Sequence, residues 1–395
     1  MRDNCRRGLD CGLRTHDLYF IMTKTIRALL IGFIALPSAG AQEFVPVNLY
    51  VADLTYEGTG LKVGTPRKLT GDRGVSSQPS FTPDGKSILF IGRRDSANAQ
   101  SDVYRIDLAS GTESRITATP EMENSPTVTP DGKLMVIRWV PATLFKEWGP
   151  WIYDMNGQPL KGVLPGPDTV GYYVRVDSVT FAMVRPKSQT AVAIFDTRAN
   201  TMTDRDSPVA NLPPQLVPRQ RAISYTRTDS LGRNEIRRFD LASAQTTTIA
   251  PAVRSRVAHA WTPRGTILMG KGNRIFARNP SRDSSWREVA AFSDKELQSL
   301  TTYVVSLAGD KLILISPVKP ALHLVIRDAI QDGRSITEAI SGLSAMPVET
   351  IRAQYEVVRG ELTRLANEQK TRGIAGAADL EAFVVRLVGP PPPAS

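Results

Sequence analysis

Cysteine is almost missing from this 395-residue chain, and its only two copies, Cys5 and Cys11, lie in the first dozen residues. Histidine is nearly as scarce, with His16, His259 and His323 alone. These shortages exclude zinc fingers, iron–sulfur clusters, disulfide scaffolds and multi-histidine metal chemistry. No G-x-S-x-G, H-E-x-x-H or P-loop occurs, and Gly58-Thr-Gly60 is only a loose fragment of a dinucleotide fingerprint. No apolar run approaches the roughly 20 residues of a membrane-crossing helix. What remains is an ordinary globular composition, 41% hydrophobic and 22% charged, with a net charge of +10.

The longest apolar stretch, Ala28–Leu36, follows Lys24 and Arg27 and precedes Pro37, Ser38 and the small-residue triplet Ala39-Gly40-Ala41. A basic start, a short apolar run and a small-x-small site together predict a signal peptide over residues 22–41. Residues 1–21 then read as a mis-assigned upstream extension, translation starts at Met22, and the mature chain begins near Gln42. No cysteine follows the apolar run, so a lipoprotein anchor is not expected. A mature chain free of cysteine suits an oxidising compartment. The expected location is the periplasm or the exterior, with no transmembrane segment.

Beyond Gln42 the pattern is short alternating apolar runs broken by turn residues, which predicts strands. Gln78-Pro-Ser-Phe-Thr-Pro-Asp-Gly-Lys and Ser125-Pro-Thr-Val-Thr-Pro-Asp-Gly-Lys align directly, each followed by an apolar strand. Fainter copies begin near Arg175, Val217, Trp261 and Leu307. Each turn is followed by a strand ending in an acid, as in Val103–Asp107, Trp151–Asp154, Val192–Asp196 and Ile236–Asp240. In the turn, proline presets φ, Asp binds local amides and Gly takes positive φ. Recurring acids are therefore expected to fix turns rather than hold metal.

Four strands per unit of about 45 residues is propeller spacing. Five full units fall at 77–117, 124–165, 170–209, 212–251 and 255–292. A sixth is split between Asn48–Asp53 with Pro66–Thr70 and Thr302–Ser306 with Lys311–Ser316, so that pairing the two ends closes the ring and removes exposed edges. Leu322–Asp328 leaves a seventh, partial unit open. The fold class is all-β: a six-bladed β-propeller over 42–320 with a short C-terminal helical tail over 321–389 and a Pro-rich end at 390–395. Val348, Ile351, Tyr355, Val358, Leu362 and Leu365 make one apolar helix face, and Leu380, Phe383, Val384 and Leu387 a shorter one. They pack either on the propeller or on another chain.

The repeat phrase, S/N-x-P-x-Φ-T-P-D-G-K followed by x-Φ-Y-x-x-D, resembles that of the TolB-like propeller family over about residues 45–320. The resemblance implies a six-bladed periplasmic propeller that docks other envelope proteins, or the non-catalytic half of an exported hydrolase. The chain differs from TolB in lacking room for an N-terminal α/β domain.

Candidate binding residues come from two connections on one face of the ring. Trp139, Phe145, Lys146, Trp148 and Trp151 crowd the long connection of the third blade. Arg93 and Arg94 begin the matching one of the second. Exposed aromatics rimmed by charge favour a protein, peptide or glycan partner; the alternative is that they fill the core. Residues 215–290 hold fourteen Lys and Arg against five Asp and Glu, including Arg219, Arg221, Arg237, Arg238, Arg254, Arg256, Arg274 and Arg278. That side either attracts an anionic partner or is a solvated edge. No catalytic residue, cofactor or resident metal is expected, and nucleic acid is not an expected partner. His259 is expected to be a satisfied core or channel histidine. The leading function is a non-enzymatic binding scaffold for an envelope protein or an anionic glycan or polymer. The alternative is a channel-metal enzyme of lactonase or hydrolase type, or the orphaned propeller of an exported hydrolase.

Overall fold

The computed structural model describes residues 46–94, 100–140, 148–164, 169–228, 234–253, 258–297, 299–300 and 302–318. Among these, all regular structure is strand except for a 3-10 turn at Lys295–Leu297. No helix among the described residues is long and apolar enough to cross a membrane. The expected helical tail, the signal segment and Leu322–Asp328 lie outside the described residues.

The chain opens with β1 (Val47–Glu57), β2 (Gly60–Val63) and β3 (Arg67–Lys68). Five meanders follow. The first is β4 (Val75–Phe81), β5 (Ser87–Arg93), β6 (Asp102–Asp107) and β7 (Glu113–Arg115). The second is β8 (Met122–Val128), β9 (Leu134–Trp139), β10 (Trp148–Tyr153) and β11 (Pro159–Gly162). The third runs through β12 (Tyr172–Arg175), β13 (Thr180–Arg185), β14 (Ala191–Asp196) and β15 (Thr201–Asp206). The fourth holds β16 (Gln215–Leu216), β17 (Ala222–Thr228), β18 (Asn234–Asp240) and β19 (Thr246–Pro251). The fifth holds β20 (Ala260–Trp261), β21 (Ile267–Lys271), β22 (Arg274–Arg278) and β23 (Arg287–Ala291). Finally come β24 (Thr302–Val305) and β25 (Lys311–Pro317). Within each meander, neighbouring strands are antiparallel. First strands of successive sheets touch: β4 meets β8, β16 meets β20, β20 meets β24 and β24 meets β4. Sheets packed in sequence around their first strands make a β-propeller.

The two ends of the described chain share one sheet. β1 pairs antiparallel with β25 from Val47 opposite Pro317 to Asp53 opposite Lys311. β24 lies on the far side of β25, and β3 pairs with β1 through Tyr50–Lys68 and Val51–Arg67. A single parallel pair, Val47–Val75, joins this sheet to the first meander. Two details differ from expectation. The outer strand shrinks from Pro66–Thr70 to Arg67–Lys68, and β1 runs on to Glu57, where Gly58 at φ 58° turns it into a hairpin with β2.

Alternation explains why both faces of the closing sheet are buried. Leu49, Val51, Ile313 and Ile315 pack against Ile88, Phe90 and Ile106 of the first meander. Tyr50, Leu54, Leu312 and Leu314 turn to the other face and meet Ile267, Leu268 and Met269 of the fifth. Each fully buried aliphatic side chain contributes up to about 1.5–3 kcal/mol.

The repeat turns behave as their chemistry requires. Gly85 N donates to Thr82 O at 2.8 Å and Thr82 Oγ1 donates to Asp84 at 2.6 Å. Gly132 and Thr129 repeat the arrangement at 2.9 and 2.7 Å. The acids closing the third strands bind the turns that follow. Asp107 accepts from Ser110 N, Asp154 from Gln158 N, Asp196 from Ala199 N and Asp240 from Ser243 N. A second repeated demand is positive φ a few residues after these acids, met by Gly111, Gly157, Asn200 and Ala244. Ala244 sits at φ 56°, a region in which its Cβ is crowded. Ala244→Gly should therefore stabilise the fold by about 0.5–1 kcal/mol, read as a higher Tm. An unchanged or lower Tm would contradict the strain.

Candidate functional site

Seven residues were singled out from the sequence, and the structure separates them. Phe145 and Lys146 lie outside the described residues. Trp139 and Trp148 are directly opposite in the β9–β10 register, their ring centroids 5.9 Å apart at 34°. Trp148 packs on Met135, Ile137, Phe181 and Met183 in the seam with the third meander. Both indoles keep part of their surface in solvent.

Trp151 occupies the opposite face of the same sheet, because alternation along β10 sends residues 148 and 151 to different sides. It packs with Leu89, Val103, Val136 and Tyr153 in the seam with the first meander. Gly162 pairs with Trp151, and a Cβ there would already touch the indole at 3.6 Å. On the ring lies the Arg138 guanidinium, 4.3 Å from a ring centroid. Arg138 Nη2 donates to Glu121 Oε1 at 2.6 Å. Burial pushes the Glu121 carboxyl up, but the bond from the Arg138 guanidinium helps to outweigh it and hold it below the usual range. The single aromatic surface expected from residues 139–151 is thus two surfaces, one in each seam.

Arg94 is spent on the fold. Its Nη1 donates to Arg73 O, Val75 O and Ser76 Oγ at 3.1–3.3 Å, and its Nη2 to Glu113 at 3.1 Å. The guanidinium also stacks on Tyr104, 4.9 Å from the centroid. Gly92 makes the stack possible, since a Cβ there would come within 2.7 Å of the Tyr104 ring. Arg93 is mostly buried, and desolvation lowers its pKa.

Arg138 and Glu121 were not singled out beforehand. Their partnership crosses from the β7–β8 connection to β9, and the only sequence signal is a charge on the inward phase of Val136-Ile137-Arg138-Trp139. The basic stretch is neutralised partly from outside itself and partly from within. Arg221 pairs with Asp177 at 2.9 Å and Arg237 with Asp206 at 2.9 Å, while Arg238 meets Asp240 and Arg274 meets Glu288. Arg278 Nε donates to Asp283 O. Arg219 is exposed, and Arg254 and Arg256 lie outside the described residues.

His259 is a buried structural group, as its position beside Trp261 suggested, and His323 lies outside the described residues. Trp261 Nε1 donates to Ser224 Oγ at 2.8 Å, and Ser224 Oγ stands 2.7 Å from His259 Nε2. Ser224 Oγ thus accepts from the indole while lying within hydrogen-bond distance of the imidazole, which ties both rings to β17. Burial pushes the His259 pKa down to about 4.

The sequence matches no protein-family model and no curated protein. Solved structures of similar shape include a protein assigned as TolB from Agrobacterium tumefaciens, 13% identical, with 68% of this chain and 98% of that one covered at TM-score 0.49. TolB from Acinetobacter baumannii is 15% identical, with 68% of this chain and 64% of that one covered at TM-score 0.44. An oligogalacturonate lyase in complex with manganese is 14% identical over 69% of this chain and 83% of that one, at TM-score 0.43. These are TolB and related β-propeller proteins, and the likeness is one of fold alone.

Two measurements test the site's architecture. The folded protein keeps His259 neutral down to about pH 4, whereas the unfolded chain takes the proton near 6.5. Stability present above pH 6.5 should be lost as pH falls through that window, by up to about 1.4 kcal/mol per unit. Urea titrations should show this slope, and His259→Gln should flatten it; an identical slope in the variant would refute the assignment. Gly92→Ala should cost about 1–3 kcal/mol by displacing Tyr104 and Arg94. A Tm within experimental error of the parent would show that the stack yields freely.

Proposed function

We propose that the chain is an exported, six-bladed β-propeller that serves, without catalysis, as a binding scaffold in the bacterial cell envelope. The observation that carries this reading is the partly buried Trp139–Trp148 pair, whose rings keep some surface in solvent and which brackets Phe145 and Lys146 in sequence. Large aromatic rings held in place by packing and reachable from solvent are the usual anchors of a protein interface. The partner is an envelope protein or an anionic polymer.

The reading of six blades is supported by the five meanders together with the closing strands β24, β25, β1 and β3. Export follows from the signal-like segment 22–41, and the mature chain starts near Gln42, with 321–389 forming a helical extension. A scaffold role is supported by where the reactive groups are engaged. The repeating acids bind turn amides, His259 is held by Ser224, and Glu123 is buried against Thr117 and Tyr153.

Trp148→Ala should weaken partner capture from an envelope extract by at least about tenfold, in keeping with loss of a hot-spot aromatic. Circular dichroism and Tm would be recorded in parallel, because Trp148 also packs on Met183. Undiminished capture by a folded variant would reject this face as the docking surface.

A further inference from the structure

A cleft of about 430 Å³ lies away from the Trp139–Trp148 pair, between the β7–β8 connection and the β10–β11 turn. Glu121 and Arg138 line it on one side, Asn156 and Gln158 on the other, and Pro120 and Pro159 stand among them. We propose that this cleft binds a neutral saccharide of one or two pyranose rings.

The walls are fixed before any ligand arrives. Gly157, at φ 84°, sets the β10–β11 turn so close to the opposing connection that a Cβ would fall 2.1 Å from Ile116 O. The Asp154 carboxylate holds that turn from within, accepting from Asn156 N and Gln158 N at 2.9 Å each. Across the cleft, Gln100 Nε2 donates to Thr119 O and Glu121 O, and Thr119 Oγ1 donates to Glu123. Arg138 cannot swing, because its guanidinium is stacked on Trp151 and bonded to Glu121. A preformed site of this kind avoids the ordering cost of binding.

Its chemistry selects the ligand. Arg138 and Glu121 cancel one another at 2.6 Å, so the cleft has no net charge to attract an anion. The side-chain amides of Asn156 and Gln158 are exposed and make no hydrogen bond, leaving donors and acceptors side by side on one turn. Vicinal hydroxyls, each both donor and acceptor, match two such planar amides. The Pro120 and Pro159 rings offer small apolar faces suited to the C–H side of a pyranose. No large apolar recess for a peptide side chain is present among the lining residues, and the Arg138 guanidinium covers one face of Trp151.

The test is calorimetric titration of the purified full chain with chitobiose and maltose, and with trigalacturonate and a neutral tetrapeptide as controls. Saturable binding of a neutral sugar is expected, weakened about tenfold or more in the Asn156→Ala, Gln158→Ala double variant, since two amide bonds are lost. Both residues are exposed turn positions, so the variant should keep its parent Tm. Trp148→Ala should retain sugar binding, which separates this cleft from the partner-docking face. Absence of neutral-sugar binding, binding unaffected by the double variant, or a preference for trigalacturonate or the peptide would each overturn the proposal.

Discussion

The pairing of β1 with β25 is the constraint on which the rest of the molecule depends. A propeller sheet is stable only between two neighbours, and here every neighbour relation depends on the sheet that joins the two ends. The seven-residue register from Val47–Pro317 to Asp53–Lys311 supplies the backbone bonds, and the alternating side chains of both strands feed two cores at once. A polar clasp adds direction. Tyr50 OH donates to Glu296 at 2.5 Å, and Lys68 bridges Glu296 and Asp72 at 2.8 and 2.7 Å.

The same alternation governs what the ring can present to a partner. Each strand has two faces and each face belongs to a different seam, so residues close in sequence are divided between seams. Trp148 and Trp151 are three positions apart yet serve opposite sides. Surface chemistry is assembled instead between elements distant in sequence, as where Glu121 of the β7–β8 connection meets Arg138 of β9 and Arg221 reaches across a seam to Asp177. The inner strands interlock similarly: Ser125 N and Oγ donate to Gln78 Oε1, and Tyr173 OH donates to Ser125 O.

Local features were legible in the sequence because their causes are local. The Thr-Pro-Asp-Gly turns, the acids at 107, 154, 196 and 240, and the split closing unit could all be read from residue types and spacing. What was not legible depends on distance. The aromatic connection looked like one patch until strand phase divided it, and the basic stretch looked unbalanced because Asp177 and Asp206 lie outside it. Even the two best repeats differ by a residue: the turn from Thr82 closes on Ser87, that from Thr129 on Lys133. The Arg138–Glu121 pair leaves no pattern that a single sequence could reveal.

The shared closing sheet also sets the order in which the molecule can be finished. β1 is the first of the described strands to leave the ribosome, yet its main partner is the last of them, so Tyr50 waits for Leu314 while every intervening meander is being made. Through that interval β1 offers an unpaired apolar edge built from Leu49, Tyr50 and Val51. The growing chain is therefore most vulnerable to association with its own copies just before β25 is made, and a helper that shields this first strand would do more for yield than one acting on any middle sheet.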